Sequence, residues 1–374
     1  MTIKILSVFG TRPEAVKMAP IVRLLKETAG IETRVCVTAQ HRQMLDQVLE
    51  LFQIRPDYDL DLMRENQSMA QISAGIFTHL DPILGAFQPE WVLAVGDTTT
   101  VVTTSLLAFY RRIKFGHVEA GLRTHNKWHP FPEEINRRLA TTTADLHFAP
   151  TEWSRQNLLD ENVPGDSVIV TGNPVIDALM YVSKQKEPPA IKDLLEKLGV
   201  RGHAPKRLIL VTAHRRENFG QPIENICRAI QQLAARDDLE IVYPVHLNPN
   251  IQEPVHRILK DVPHVTLLAP LDYLPLVHLM KCATLILTDS GGIQEEAPTF
   301  GIPVLVMREA TERPEGVDAG ILKLVGTETN RIVHEATRLL EDSAAYAGMA
   351  RTANPYGDGH AAERIVEALL KTSG

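Results

Sequence analysis

The chain has 374 residues, 44% of them hydrophobic and 23% charged; this excludes a disordered chain and provides for two or three domains at about 150 residues each. Its formal charge, 39 − 46 = −7, gives the whole chain no pull toward nucleic acid but leaves room for a local basic pocket. No window reaches about 18 apolar residues, and Cys36, Cys227 and Cys282 are sparse and form no CxxC pair, so neither a membrane span nor a disulfide framework is expected.

In chain order, the first apolar run, Ile3–Phe9, is too short for a signal peptide and is stopped by Gly10-Thr-Arg-Pro-Glu14; a soluble, cytoplasmic protein is expected. Further β-branched runs follow at Arg34–Thr38, Trp91–Val95, Ile113–Val118, Leu146–Ala149 and Val168–Val170. A second set lies at Leu208–Ala213, Ile241–Val245, Val265–Leu268, Leu285–Thr288, Val304–Met307 and Leu322–Val325. These runs are nearly continuous in apolar residues, as strands buried on both faces must be. Helical patterns such as Arg42–Phe52 and Asn225–Ala235 separate them. The alternation predicts an α/β protein of two doubly wound, Rossmann-like parallel-sheet domains facing a cleft. The expected division is 1–175 and 176–360, with a polar linker region at Ser183–Pro205 that carries its own helix at Ile191–Leu198. The tail at Ala361–Leu370 reads as a final helix.

Ligands of open α/β sheets bind beyond the carboxyl ends of the strands, so the residues there carry the chemistry. After the first strand, Pro13 suits the start of a helix whose free N–H groups, with Arg12, make an anion site. Near the end of the second half, Asp289-Ser-Gly-Gly-Ile-Gln-Glu-Glu296 offers two glycines for close backbone approach to a diphosphate, and Glu296 suits a ribose diol. Asp97, Glu119 and Glu133 are loop carboxylates of the kind that general acid–base work uses. His214 and His246 lack the spacing of metal ligands, and Asp57-Tyr-Asp-Leu-Asp61 reads as solvated acid in a loop, so no metal is expected. Nor does any G-x-G follow a strand in the manner of a nicotinamide site.

Phe9-Gly-Thr-Arg-Pro-Glu-Ala15, Gly96-Asp-Thr-Thr-Thr100, His117-Val-Glu-Ala-Gly-Leu-Arg-Thr124, Thr212-Ala-His-Arg-Arg-Glu-Asn218 and Thr288-Asp-Ser-Gly-Gly-Ile-Gln-Glu-Glu-Ala297 carry a resemblance. With Glu312-Arg-Pro-Glu315 and Asn354-Pro-Tyr-Gly-Asp-Gly359 they span the chain and resemble the non-hydrolysing UDP-N-acetylglucosamine 2-epimerases. The resemblance implies a glycosyltransferase-B architecture with helix 361–374 returning to the first domain, and a cytoplasmic homodimer without cofactor. It implies the interconversion of UDP-GlcNAc and UDP-ManNAc for cell-surface polysaccharide synthesis. Arg12, Lys17, His214, Ser290, Gly291, Gly292, Glu296 and Arg313 match the UDP contacts, and Asp97, Glu119 and Glu133 the carboxylates around the sugar, with His214 beside the chemistry. Leu276 stands where the family usually has Phe against the uracil, leaving a main-chain contact. Some members are activated by a second UDP-GlcNAc; the matching positions are Gln40, His41, Gln43, Glu133, Arg215 and His246. Asn66 replaces an Arg there, so weakened activation is expected.

Carbon 2 of the sugar has no neighbouring carbonyl. With no dinucleotide motif, the available route is elimination of UDP to 2-acetamidoglucal and re-addition, with proton transfer at carbon 2 by Asp97, Glu119 or Glu133 and domain closure over the intermediate. A hydrolysing epimerase, a glycosyltransferase of the same fold and a nucleotide-sugar sensor without turnover are the alternatives.

Overall fold

The structure is a computed structural model that describes residues 2–38, 42–62, 64, 67–350 and 353–372. It divides into two compact units, Met1–Ala178 with Tyr356–Gly374, and Leu179–Pro355.

Unit 1 holds strands β1 (Ile3–Phe9), β2 (Ile31–Val37), β3 (Tyr58–Asp59), β4 (Trp91–Val95), β5 (Lys114–Val118), β6 (Leu146–Ala149) and β7 (Val168–Val170). They form one parallel sheet in the order β3-β2-β1-β4-β5-β6-β7. Burial on both faces explains the unbroken apolar runs: all five residues of Trp91–Val95 are buried, and Leu6, Val8, Val92 and Ala94 pack with Ile76, Leu80 and Leu84 of the Met69–Phe87 helix. The Ala361–Thr372 helix packs on the Arg12–Glu27 helix, and the Asp177 carboxylate accepts from the main-chain N–H groups of Ala361 and Ala362 at its start.

β3 corrects the sequence reading of Asp57–Asp61 as a loop. Tyr58 and Asp59 pair with Cys36 and Val37 at the sheet edge, and the Asp57 carboxylate accepts from the Val35 amide at 2.8 Å. The acids themselves are exposed, as expected of that segment.

Unit 2 holds β8 (Arg207–Thr212), β9 (Leu239–Pro244), β10 (Val265–Leu268), β11 (Leu285–Thr288), β12 (Val304–Val306) and β13 (Leu322–Leu324), a parallel sheet in the order β10-β9-β8-β11-β12-β13. Ile209, Val211, Ile241, Tyr243 and Leu287 form its core with Ile226 and Ile230 of the Gln221–Leu233 helix. The strand order reverses between β1 and β4 in one sheet and between β8 and β11 in the other. In open parallel sheets, ligands bind beyond the carboxyl ends of the strands at such a reversal.

Candidate active site

At the β1/β4 switch point the loops Gly10–Thr11 and Gly96–Thr98 meet. Thr11 caps the Arg12–Glu27 helix, which Arg12 itself opens and Pro13 follows. Glu14 closes a capping box: its Oε2 accepts from the Gly10 and Thr11 amides, both at 2.8 Å, and its Oε1 accepts from the Thr98 hydroxyl at 2.5 Å. The carboxylate thus occupies the two amides that precede the helix, those of Gly10 and Thr11. Burial raises the Glu14 pKa against those bonds. Arg12, by contrast, makes no side-chain hydrogen bond or ion pair among the described residues and stays available as a cation.

Glu119 sits just past β5 in the left-handed region, φ 63°, an uncommon place for a side chain and 5% exposed. Lys17 Nζ lies 2.5 and 2.6 Å from its two oxygens, and Asn173 donates to Oε1 at 3.1 Å. The structure thus brings Lys17, taken by resemblance as a UDP contact, onto the carboxylate. Asp97 follows Gly96, whose φ of +84° turns the chain where an added Cβ would lie 3.4 Å from Glu119 Oε2. Arg137 donates through Nε and Nη2 to Asp97 Oδ2 at 2.9 and 2.6 Å, and Asn136 donates to the Asp97 carbonyl.

Glu133 and Glu134 both begin the Glu133–Thr143 helix, and they differ. Glu134 is fully buried and accepts from the Thr124 and His125 amides and from Arg137. Glu133 is half-buried, its Oε2 has no partner among the described residues, and no hydrogen bond joins it to Asp97 or Glu119. Arg137, Asn173 and Glu14 escaped the sequence reading. The signals were a Thr-x-x-Glu capping spacing for Glu14, a pair three residues apart for Glu134 and Arg137, and a strand-end position for Asn173.

His117 underlies this loop cluster. Its Nε2 is 2.7 Å from the Gly96 carbonyl, and burial pushes its pKa down to about 4. On β6 its register partner His147 is pushed down to about 3, mainly by burial. A pKa lowered in the fold means that between pH 6.5 and about 4 the unfolded chain takes up a proton that folded His117 does not. Stability from this residue is complete above that window and is lost as pH falls through it, by a few kcal/mol at about 1.4 per pH unit. Thermal midpoints measured from pH 7 to 4 should fall less steeply for His117→Gln than for the parent; equal slopes would contradict this assignment.

In unit 2, the β8/β11 switch point is organised by Asp289, fully buried at the end of β11. Its carboxylate accepts from the His214 amide at 2.8 Å, the Arg215 amide at 2.8 Å and the Asn218 side chain at 2.9 Å, with His214 Nδ1 at 3.3 Å. His246, after β9, stacks on His214 with centroids 5.5 Å apart and 16° between the rings. Arg215 has no ion pair among the described residues; burial lowers its pKa, and Arg308 and Arg313 add to that.

Ser290 stands at the N-cap position of the short Gly291–Glu296 helix without a capping hydrogen bond from its side chain. The Arg313 guanidinium lies so close over Gly291 that an added Cβ would be 2.8 Å from its Cζ, and Nε pairs with Glu295 at 2.5 Å. Glu312 flanks it at 3.6 Å; burial pushes the Glu312 carboxyl up, but Arg308 and Arg313 outweigh burial and hold it at about 2. Glu296 Oε2 accepts from the Tyr273 hydroxyl at 2.9 Å, and Gly292 packs over Oε1 at 3.3 Å from its would-be Cβ. Leu276 lies in the Tyr273–Cys282 helix, where its N–H already donates to the Asp272 carbonyl at 3.2 Å. Gln40, His41 and Asn66 lie outside the described residues, and for Gln43 only its place in the Arg42–Leu51 helix is described.

Comparison with known proteins follows the whole chain. A sequence model of the UDP-N-acetylglucosamine 2-epimerase family matches residues 23–370. The UDP-N-acetylglucosamine 2-epimerase of Yersinia pestis is 56% identical over 98% of both chains. The crystal structure of UDP-GlcNAc 2-epimerase from Neisseria meningitidis, bound to UDP-GlcNAc, is 51% identical with a TM-score of 0.91, covering 99% of this chain and 100% of that one. The Methanocaldococcus jannaschii UDP-GlcNAc 2-epimerase, solved with UDP-GlcNAc and UDP, is 30% identical with a TM-score of 0.82 over 99% of this chain and 100% of that one.

Proposed function

The chain belongs to the UDP-N-acetylglucosamine 2-epimerase family, and on that premise we propose that it interconverts UDP-GlcNAc and UDP-ManNAc without hydrolysis, as a cytoplasmic homodimer that supplies polysaccharide synthesis. The observation that carries the reading is the division of labour between the two switch points. One gathers carboxylates, Asp97 and Glu119, each held by a cation, Arg137 or Lys17. The other gathers His214, Arg313 and the Ser290–Gly292 turn.

The roles follow from charge. Departure of UDP from carbon 1 leaves negative charge on the diphosphate, which suits Arg12, His214, Arg313 and the amides of Gly291 and Gly292. Removal of the carbon-2 proton suits a carboxylate held in position by a neighbouring side chain, and two such groups in different settings suit opposite faces of carbon 2. Asp97 and Glu119 take that work, with Glu133 as the third candidate. The product of elimination is 2-acetamidoglucal, and re-addition of UDP with a proton on the other face completes the epimerisation. Glu296, Lys17 and the main chain at Leu276 complete the proposed UDP contacts. Arg215 and His246 are the described members of the proposed second sugar-nucleotide site.

Turnover in D2O without added cofactor is expected to place deuterium at carbon 2 of the product. NMR of UDP-GlcNAc under turnover reads this directly. Complete retention of the original hydrogen would overturn the elimination route, and release of free ManNAc would point to a hydrolysing enzyme. Arg12→Ala should weaken UDP binding by roughly 1.5–3 kcal/mol, the worth of a charge-assisted hydrogen bond. Calorimetry would register this as about a tenfold to hundredfold rise in Kd; an unchanged Kd would remove Arg12 from the UDP contacts.

A further inference from the structure

The proposed chemistry leaves a fully buried imidazole of unit 1 without a task. His117, on β5, lies in the apolar layer under the helices: its register partner on β4 is Ala94, and Phe115 stacks on it with centroids 6.3 Å apart. Its Nδ1 is buried and has no hydrogen-bond partner among the described residues. Packing alone would be served better there by an apolar side chain, because a buried polar atom left unpaired costs stability. Among the described residues the imidazole makes one hydrogen bond, from Nε2 to the Gly96 carbonyl at 2.7 Å. A carbonyl only accepts, so Nε2 carries the proton. Burial keeps the ring neutral at pH 7, and Nδ1 therefore keeps its lone pair.

That bond falls where the sheet stops supplying its own. The β4–β5 register ends at Val95 and Val118, and the Gly96 amide still donates to the Val118 carbonyl at 3.0 Å. Gly96 then turns at φ +84°, and a side chain of β5, rather than its main chain, reaches the Gly96 carbonyl. The peptide that joins Gly96 to Asp97 is trans and planar, so holding its oxygen holds the plane from which the Asp97 Cα departs. Asn136 holds the next carbonyl, that of Asp97, at 2.8 Å, and Arg137 holds the carboxylate itself. We infer that His117 is a positioning residue for proton transfer at carbon 2: through the Gly96 carbonyl it sets the turn that aims the Asp97 carboxylate. Fully buried, it acts only through Asp97, and so its task rests on the reading of Asp97 as a base.

Two substitutions separate the bond from the packing. His117→Leu fills similar space without a donor, and His117→Gln keeps an N–H at comparable reach. His117→Leu is expected to lower kcat on UDP-GlcNAc by about 10–100-fold, the cost of a misplacement of about 1 Å, while KM and the Kd for UDP stay within about twofold. His117→Gln should restore most of the lost kcat. His147→Leu serves as the packing control, since His147 is the register neighbour on β6 and makes no side-chain hydrogen bond among the described residues; it should keep the parental kcat. NMR of protein labelled with nitrogen-15 histidine reads the bond without turnover: the ring signals that vanish in His117→Gln should belong to a pyrrole-type Nε2 and a pyridine-type Nδ1. A proton on Nδ1 of that ring, parental kcat in His117→Leu beside a loss in Asp97→Asn, a His117→Gln enzyme as impaired as His117→Leu, or an equal loss in His147→Leu overturns the proposal. Parental kcat in Asp97→Asn overturns instead the reading of Asp97 as the base, and the positioning task falls with it.

Discussion

Asp97→Asn is expected to lower kcat by about 10²–10⁴, the usual loss when a general base is removed, while UDP affinity stays within about twofold. The amide keeps the shape of the carboxylate and takes away the proton acceptor. Arg137 holds Oδ2 alone, and no protein donor among the described residues occupies Oδ1. The fold should tolerate the change, since Arg137 keeps its bond to Glu134 at 3.2 Å. NMR-followed turnover beside calorimetric UDP binding separates the two effects. Retention of more than about a tenth of kcat would remove Asp97 from proton transfer.

Gly121→Ala is expected to cost unit 1 about 3–5 kcal/mol, although the residue is never required to touch a ligand. Gly121 has φ +92°, and a Cβ there would stand 2.2 Å from the Ser154 carbonyl oxygen, which belongs to backbone and cannot swing aside. Left-handed strain contributes about 1–3 kcal/mol and overpacking a similar amount. A loss of that size is a large fraction of the roughly 5–15 kcal/mol that a folded domain holds. Limited proteolysis and the thermal midpoint would show it; a midpoint within about 2 °C of the parent would mean that the Glu152–Asp160 helix shifts to make room.

These two positions also show what is legible in a sequence and why. Central parallel strands announce themselves because both faces are buried, so Trp91–Val95 and Leu285–Thr288 stand out as apolar runs. Tyr58–Asp59 does not: a two-residue edge strand has no run to show, and its acids face water. The positions of Asp97 and Asp289 follow from strand ends at switch points. What holds them does not, because Arg137 reaches Asp97 from 40 residues away and Asn218 reaches Asp289 from 71. Local spacing carries no trace of such contacts. Glu14 is the instructive miss, since Thr11-Arg-Pro-Glu14 spells a capping box whose closure ties down the Gly10–Thr11 loop.

The partnership of the Ala361–Thr372 helix with the Arg12–Glu27 helix has a consequence for synthesis. Unit 1 is written in two pieces, with all of Leu179–Pro355 between them. A ribosome adding about 5–20 residues per second therefore spends roughly 10–35 s on the intervening segment before the closing helix exists. Through that interval the growing chain carries a sheet already complete in its strands beside a helix face that still lacks its cover, while the later unit can finish from contiguous chain alone. Nascent polypeptides arrested before Tyr356 should be captured by chaperones that seize apolar surface, and the capture should end once residues 361–372 have cleared the exit tunnel.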